Sequence, residues 1–262
     1  MSAPHDRPKG RSRSLGEDVP QGQEGSPSTG TLYLIPVPLG PNDPADVLPT
    51  PVLQQVRALD TYVAEHAKSA RAFLKAAGHP LPLQQIAIAE LNEHTREADV
   101  TALLAPLCAG KDVGLISEAG CPAVADPGAA LVALAQREGI RVVPFVGPSS
   151  ILLALMASGL SGQNFAFHGY LPAKEEERRK RLKALEHVSR LEKATQIFIE
   201  TPYRNLPMFE TLLAACASQT RLCLATDLGQ PTETVRTRTI SGWQKCEAPA
   251  IDRRPTVFLL LA

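Results

Sequence analysis

Ser117-Glu118-Ala119-Gly120-Cys121-Pro122-Ala123-Val124-Ala125-Asp126-Pro127-Gly128 follows the apolar run Asp112-Val113-Gly114-Leu115-Ile116. A short β-rich run that breaks into Gly, Ala and Pro around two carboxylates, then restarts as a helix, is a strand-to-helix turn with a nearly bare backbone. Small residues there let main-chain amides and carbonyls approach a flat ligand without side chains intervening. Two further strand ends share this texture: Pro36-Val37-Pro38-Leu39-Gly40 and Pro144-Phe145-Val146-Gly147-Pro148-Ser149-Ser150. Taken singly, each also reads as a plain turn, with Ser149 or Ser150 capping the next helix. Three in one domain point to a pocket built from loops.

The segments around these loops alternate in period. Strands are expected over residues 31–37, 61–64, 86–91, 112–116 and 141–145, and helices over 52–59, 67–77, 99–108 and 129–138, with another from 151. This succession predicts an α/β fold whose parallel-type sheet is covered by helices and binds ligands at the carboxyl ends of its strands. Later segments differ: strands over 165–167, 195–200, 221–226, 234–239 and 256–261, and helices over 174–193 and 206–217. Their hairpin-like spacing predicts a mixed sheet. The expected division is a disordered tail over 1–29, an N-terminal α/β domain over 30–147 and a C-terminal α/β domain over 148–262. The tail expectation rests on 14 Pro, Gly or Ser and no aromatic residue in the first thirty.

In 262 residues, 27 Lys and Arg balance 27 Asp and Glu, so no whole-chain field holds a polyanion and any nucleic acid must meet a local patch. The cysteines 108, 121, 216, 223 and 246 are odd in number, widely spaced and without a C-x-x-C pair. They read as reduced thiols of a cytoplasmic protein with no metal centre. Apolar runs over 151–157 and 257–262 are far shorter than the roughly 20 residues of a membrane span, so a soluble chain is expected. The G-x-G-x-x-G and phosphate-loop glycine patterns are absent, as are H-E-x-x-H and G-x-S-x-G.

The chain resembles the tetrapyrrole methylase superfamily, S-adenosylmethionine-dependent methyltransferases built from two α/β domains. The likeness rests on Gly30-Thr31-Leu32-Tyr33-Leu34 with Pro36 and Gly40, Asn92-Glu93-His94, residues 116–128 and residues 143–150. It continues through Gly169-Tyr170-Leu171-Pro172 and Glu200-Thr201-Pro202-Tyr203-Arg204. Within the superfamily it is most similar to the branch that methylates a cytidine ribose 2'-hydroxyl in RNA of the small ribosomal subunit. The resemblance implies a homodimer and a cofactor cleft between the domains. It places Pro38, Leu39 and Gly40 on the first loop, Ser117, Glu118, Ala119, Gly120, Cys121 and Val124 on the second, and Ser149 and Ser150 on the third. Glu200 and Leu228 would close the cleft from the other domain.

Three stretches depart from the branch. Glu65-His66-Ala67-Lys68 lacks its Asp-Thr-Arg unit, residues 41–46 replace an Asn-Leu-x-Asp-Ile continuation, and Asp227-Leu228-Gly229 replaces Glu-Leu-Thr-Lys. A small-molecule acceptor such as a tetrapyrrole, or a catalytically silent module that binds cofactor or a partner protein, therefore stays open beside RNA. The tetrapyrrole branch's Gly-x-Gly-x-Gly-Asp first loop is absent.

Methyl transfer from a sulfonium chiefly requires in-line alignment of the acceptor, with no metal. For a ribose hydroxyl, a late-acting base adds rate, and Glu93 and His94 are the candidates, although the pair could equally cross-link its own loop. Asp126 reads as a helix-start residue that could also reach a substrate hydroxyl. Tyr203 could stack on a base and Arg204 clamp a phosphate, or the two could cover a sheet edge. His168 is a wall residue or a structural histidine. The charged run 174–193 could face RNA, but Glu175, Glu176 and Glu177 suit a helix start and pair at i,i+4 with Arg179, Lys180 and Arg181, which describes a solvated helix.

Overall fold

A computed structural model describes residues 29–262. The tail expected over 1–29 lies, up to residue 28, outside the described residues. In chain order the elements begin β1 (Thr31–Ile35), α1 (Pro44–Val47), α2 (Thr50–Ala58), β2 (Thr61–Ala64), α3 (Ala67–Ala76) and β3 (Ala87–Glu90). There follow α4 (Glu97–Ala102), α5 (Ala105–Cys108), β4 (Val113–Ile116), α6 (Gly128–Arg137), β5 (Arg141–Pro144) and α7 (Ser150–Ser158). The second half continues with β6 (Phe165–Tyr170), α8 (Glu175–Glu192), β7 (Thr195–Ile199), α9 (Asn205–Ala215) and β8 (Arg221–Thr226). It ends with β9 (Thr234–Thr239), α10 (Ile240–Trp243) and β10 (Thr256–Leu261).

The first five strands form one wholly parallel sheet in the order β3-β2-β4-β1-β5. Such a sheet is covered on both faces, and β4 is buried along its whole length. One apolar cluster gathers Val52, Val56 and Leu74 from α2 and α3, the other Leu107, Leu131 and Ala135 from α5 and α6. Strand β1 is followed by β2 on one side of it, and β4 by β5 on the other, so the chain reverses direction between the adjacent strands β1 and β4. Loops diverge at such a point and leave a crevice at the carboxyl ends.

The second sheet is mixed, in the order β6-β7-β10-β8-β9, with β6 and β7 parallel and the remaining pairs antiparallel. Helices α8, α9 and α10 cover one face with Leu182, Leu185, Phe209 and Trp243. Helix α7 covers the other through Ala154 and Leu155 against Ile197, Ala225 and Val257. Thus α7, which starts at the third loop of the first sheet, packs on the second.

Several expectations need correction. The helix expected over 99–108 is two helices, because Pro106 has no N–H to give the carbonyl of residue 102, so the chain turns and restarts as α5. Asp43 caps, and Pro44 starts, the short α1 where no helix was expected. Strand β6 runs on to Tyr170 past an irregularity between Phe167 and Tyr170. Arg178, read with the exposed basic run, is buried and donates to Thr211 Oγ1 and the Ala173 carbonyl, tying α8 to α9. Its neighbours Arg179 and Lys180 pair with Glu175 and Glu176 on the same helix face.

Candidate active site

The loops after β1 and β4 are stitched together by a two-residue bridge. Val37 N–H donates to the Gly120 carbonyl at 2.9 Å, and Gly120 N–H to the Val37 carbonyl at 3.1 Å. The β4 loop turns sharply, with Gly120, Ala123 and Ala125 at φ 72°, 64° and 53°. Left-handed alanines cost on the order of 1 kcal/mol each, and here the loop is held by Asp126 Oδ1. That oxygen accepts the N–H groups of Ala123 (3.1 Å) and Gly128 (2.7 Å). Asp126 is thus the helix-start residue of α6 and also faces a cavity.

That cavity, about 440 Å³, lies between the two sheets, within the range of small-molecule sites. From the first half it is lined by Leu39, Glu65, Ser117, Glu118, Ala119, Val124, Ala125 and Asp126. From α7 and the second sheet come Ser150, Ile151, Phe167, Tyr170, Glu200 and Leu228, with Gln230 and Thr256 beside them. Carboxylates enter from both sides, and no lysine, arginine or histidine lines it among the described residues.

Glu65 sits at the end of β2, next to the β4 loop. Burial, with Asp126 and Glu118 nearby, pushes its carboxyl above the usual range. Burial does the same to Asp126, opposed by its two backbone donors. Glu118 is met by His66 Nδ1 at 3.4 Å, so the histidine in the departed Asp-Thr-Arg stretch contacts a cleft residue. Across the cleft, the Glu200 side chain is fully buried at the end of β7. Its Oε1 accepts from the Thr201 N–H and from two nitrogens of Arg204, while Oε2 has no partner among the described residues. The Glu200 hydrogen bond holds the Arg204 guanidinium firmly protonated.

The other expected site residues fall around this cavity. Pro38 and Gly40 line a second cavity of about 300 Å³ that shares Ser117 and Glu118 with the first. Gly40 packs so closely that a Cβ there would lie 2.6 Å from the Gln230 side chain. Asn42 Nδ2 donates to the Gly229 carbonyl at 2.6 Å, a second tie between the halves. Gly120 and Cys121 shape the β4 loop, with Cys121 Sγ against the Pro148 carbonyl, and Ser149 caps α7 through the Leu152 N–H. Pro202, Tyr203 and Arg204 form a 3-10 turn of which Pro202 lines the cavity, the guanidinium 5.3 Å from the Tyr203 ring centre. His168 bonds Gln196 Oε1 at 2.7 Å and does not line the cavity. Nor do Glu93 and His94, which are exposed and pair with each other at 3.6 Å. Strand β3 is an edge strand, so its loop opens outside that of β2. Glu65 occupies the inner position, and its one signal in the sequence is that it follows a strand, as other cleft residues do.

Two half-chains with α/β sheets, joined by a loop-lined cleft, define the class of fold. Residues 31–242 match the family described as Tetrapyrrole (Corrin/Porphyrin) Methylases, and the chain belongs to that family of methyltransferases. It is 35% identical over 215 residues to the ribosomal RNA small subunit methyltransferase I of Escherichia coli O157:H7, covering 82% of this chain and 71% of the relative. The protein of the same name from Pseudomonas aeruginosa is 36% identical over 209 residues, covering 80% and 70%. Among solved structures, the methyltransferase CobJ matches with a TM-score of 0.59 at 18% identity, covering 89% of this chain and 94% of that one, a likeness of fold.

Proposed function

We propose that this chain transfers the methyl group of S-adenosylmethionine to RNA of the small ribosomal subunit, at a ribose 2'-hydroxyl, and does so as a homodimer in the cytoplasm. The observation that supports this most directly is the carboxylate Glu65 inside the inter-sheet cleft, opposite the buried Glu200. The names of the relatives supply the acceptor class. The division into domains at residues 147 and 148 belongs to the same proposal, with α7 carrying the third loop across to the second sheet.

The cleft fits such a cofactor. Leu39, Val124, Ile151, Phe167 and Leu228 offer apolar walls, and Glu200 Oε2 is an uncommitted acceptor. Bound S-adenosylmethionine supplies a methyl group already activated by positive sulfur. The protein's part is to align the acceptor oxygen and exclude water, with the β1, β4 and β5 loops on one side and the ends of β7 and β8 on the other. Glu65 takes the hydroxyl proton late in the transfer, a contribution of roughly 10²–10⁴ in rate. Exposed Tyr170 and Tyr203 flank Arg204 at the rim, where a splayed base would stack. Because Glu200 engages two nitrogens of Arg204, the arginine acts as a support for that wall more than as a free phosphate clamp.

A polycarboxylate acceptor of tetrapyrrole type is disfavoured in a cavity with four carboxylates and no lining cation, whereas a neutral nucleoside can enter with its phosphates outside. The test is transfer of labelled methyl to unmodified small subunits, free RNA and a tetrapyrrole in parallel, with digested RNA analysed by mass spectrometry. The proposal expects a 2'-O-methyl nucleoside from RNA. Label confined to a nucleobase would refute the ribose assignment, label in the tetrapyrrole alone the RNA assignment, and no label in any would leave a silent binding module.

A further inference from the structure

The four carboxylates of the cleft, Glu65, Glu118, Asp126 and Glu200, converge from the ends of three strands, β2, β4 and β7, with Glu118 and Asp126 on the same β4 loop. The cations in contact with them are Arg204 on Glu200 Oε1 and His66 on Glu118. Glu200 Oε2 is buried with no hydrogen-bond partner among the described residues, an arrangement that costs stability until a ligand donor meets it. A cavity of one sign with low-dielectric walls also strengthens its field, because little water is present to screen it.

We propose that the cleft selects its methyl donor by charge: these carboxylates hold the cationic sulfonium and let go of the neutral sulfide that transfer leaves behind, with Glu200 Oε2 accepting from a donor group of the cosubstrate. This rests on the reading that the cleft binds S-adenosylmethionine. In the transfer the carbon–sulfur bond breaks and its electron pair stays on sulfur. A bond forms from the acceptor oxygen to the methyl carbon, and the hydroxyl proton passes to Glu65. The ligand thus loses one positive charge as the cleft loses one negative charge. The attraction that held the donor disappears at the step that makes the product, which is how the cleft empties for the next turnover.

An apolar cleft would behave in the opposite way, since burying a sulfonium costs more than burying a sulfide. The sign of the difference therefore separates the two. The experiment is calorimetric titration of the full chain with three probes: S-adenosylmethionine, S-adenosylhomocysteine, and sinefungin, in which a protonated amine replaces the methylsulfonium. Each is run at about 50 mM and about 300 mM salt, where screening differs. Both cationic probes are expected to bind at least tenfold tighter than S-adenosylhomocysteine at low salt, with only a small decrease of the ratio at high salt because charges inside the cleft are screened less than exposed ones. Glu65→Gln and Glu118→Gln each lower that ratio about threefold while Glu200→Gln weakens all three probes, and unfolding curves verify that the variants are folded. The inference is overturned if the neutral sulfide binds as tightly as the sulfonium, or if the ratio ignores both Glu65→Gln and Glu118→Gln. Equal binding of all three probes leaves the cofactor assignment intact and removes charge selection. No binding of any probe removes both.

Discussion

Glu200 Oε1 accepts hydrogen bonds from Arg204 Nε at 3.0 Å and from an Arg204 terminal nitrogen at 2.7 Å, so one carboxylate oxygen takes two donors of one guanidinium. The acid is wholly buried and the base partly wet. Arg204→Ala leaves a buried charge without its counter-ion and is expected to cost about 2–3 kcal/mol, below the full penalty of a dry pair because Arg204 touches water. Arg204→Lys is expected to recover less than half of this, since a lysine cannot offer two donors in fixed geometry. Urea unfolding of the three proteins measures both values.

Asp126 carries two duties that substitutions can separate. Its Oδ1 alone accepts both the Ala123 and Gly128 N–H groups. Asp126→Asn keeps one such oxygen and is expected to stay within about 1 kcal/mol of the native stability, whereas Asp126→Ala loses about 2 kcal/mol as the left-handed alanines relax. If the asparagine variant also retains methyl transfer, Asp126 is a brace for the loop and not the proton acceptor.

Glu65 predicts a trade between stability and activity. Burial, Asp126 and Glu118 raise its carboxyl above the ordinary range, so the native state keeps that proton to higher pH than the unfolded chain does. Stability contributed by this group therefore falls as pH climbs from the ordinary carboxylate range through the raised value. Glu65→Gln is expected to raise Tm at neutral pH on the order of 1 °C, since part exposure and screening dilute the repulsion. The same change should slow methyl transfer roughly 10²-fold and flatten its acid limb. Differential scanning calorimetry and a pH–rate profile read the two effects independently.

Gly147 meets Pro36 where the β5 and β1 loops touch. A Cβ on residue 147 would lie 2.3 Å from Pro36 Cβ, and a proline ring on a fixed backbone cannot yield as a long side chain can. Gly147→Ala is expected to cost about 1–3 kcal/mol and to weaken cofactor binding by displacing the β1 loop. Gly40→Ala is the control. Its obstacle is the Gln230 side chain, which can swing away, so a smaller loss is expected by thermal unfolding and titration.

What was legible from sequence followed from periodicity and punctuation. The runs 221–226, 234–239 and 256–261 emerge as β8, β9 and β10 with the same limits, because β-branched and aliphatic runs bounded by polar turns leave little freedom. The β4 loop was readable for its glycine, prolines and alanines. Glu93 and His94 carry proton-transfer side chains after a strand but lie off the cavity lining, with Glu93 near enough for its charge to act on Glu65. Residue type does not tell whether a strand is central or at an edge. That depends on the order β3-β2-β4-β1-β5, set by crossovers of distant segments. For the same reason Glu65 reads as the remnant of an altered motif and Arg178 as one more surface cation, whereas the packing of β2 puts Glu65 in the cleft and that of α8 on α9 buries Arg178.

The order of the second sheet sets a timetable for synthesis. Strand β10 lies between β7 and β8, yet it is translated after both. Until it emerges, β6–β7 and β8–β9 are two separate ribbons with unpaired inner edges, open to mispairing. The wall that carries Glu200 and Leu228 therefore cannot be set before residues 256–261 leave the ribosome, whereas the five strands of the first sheet can pair while the second half is still being made.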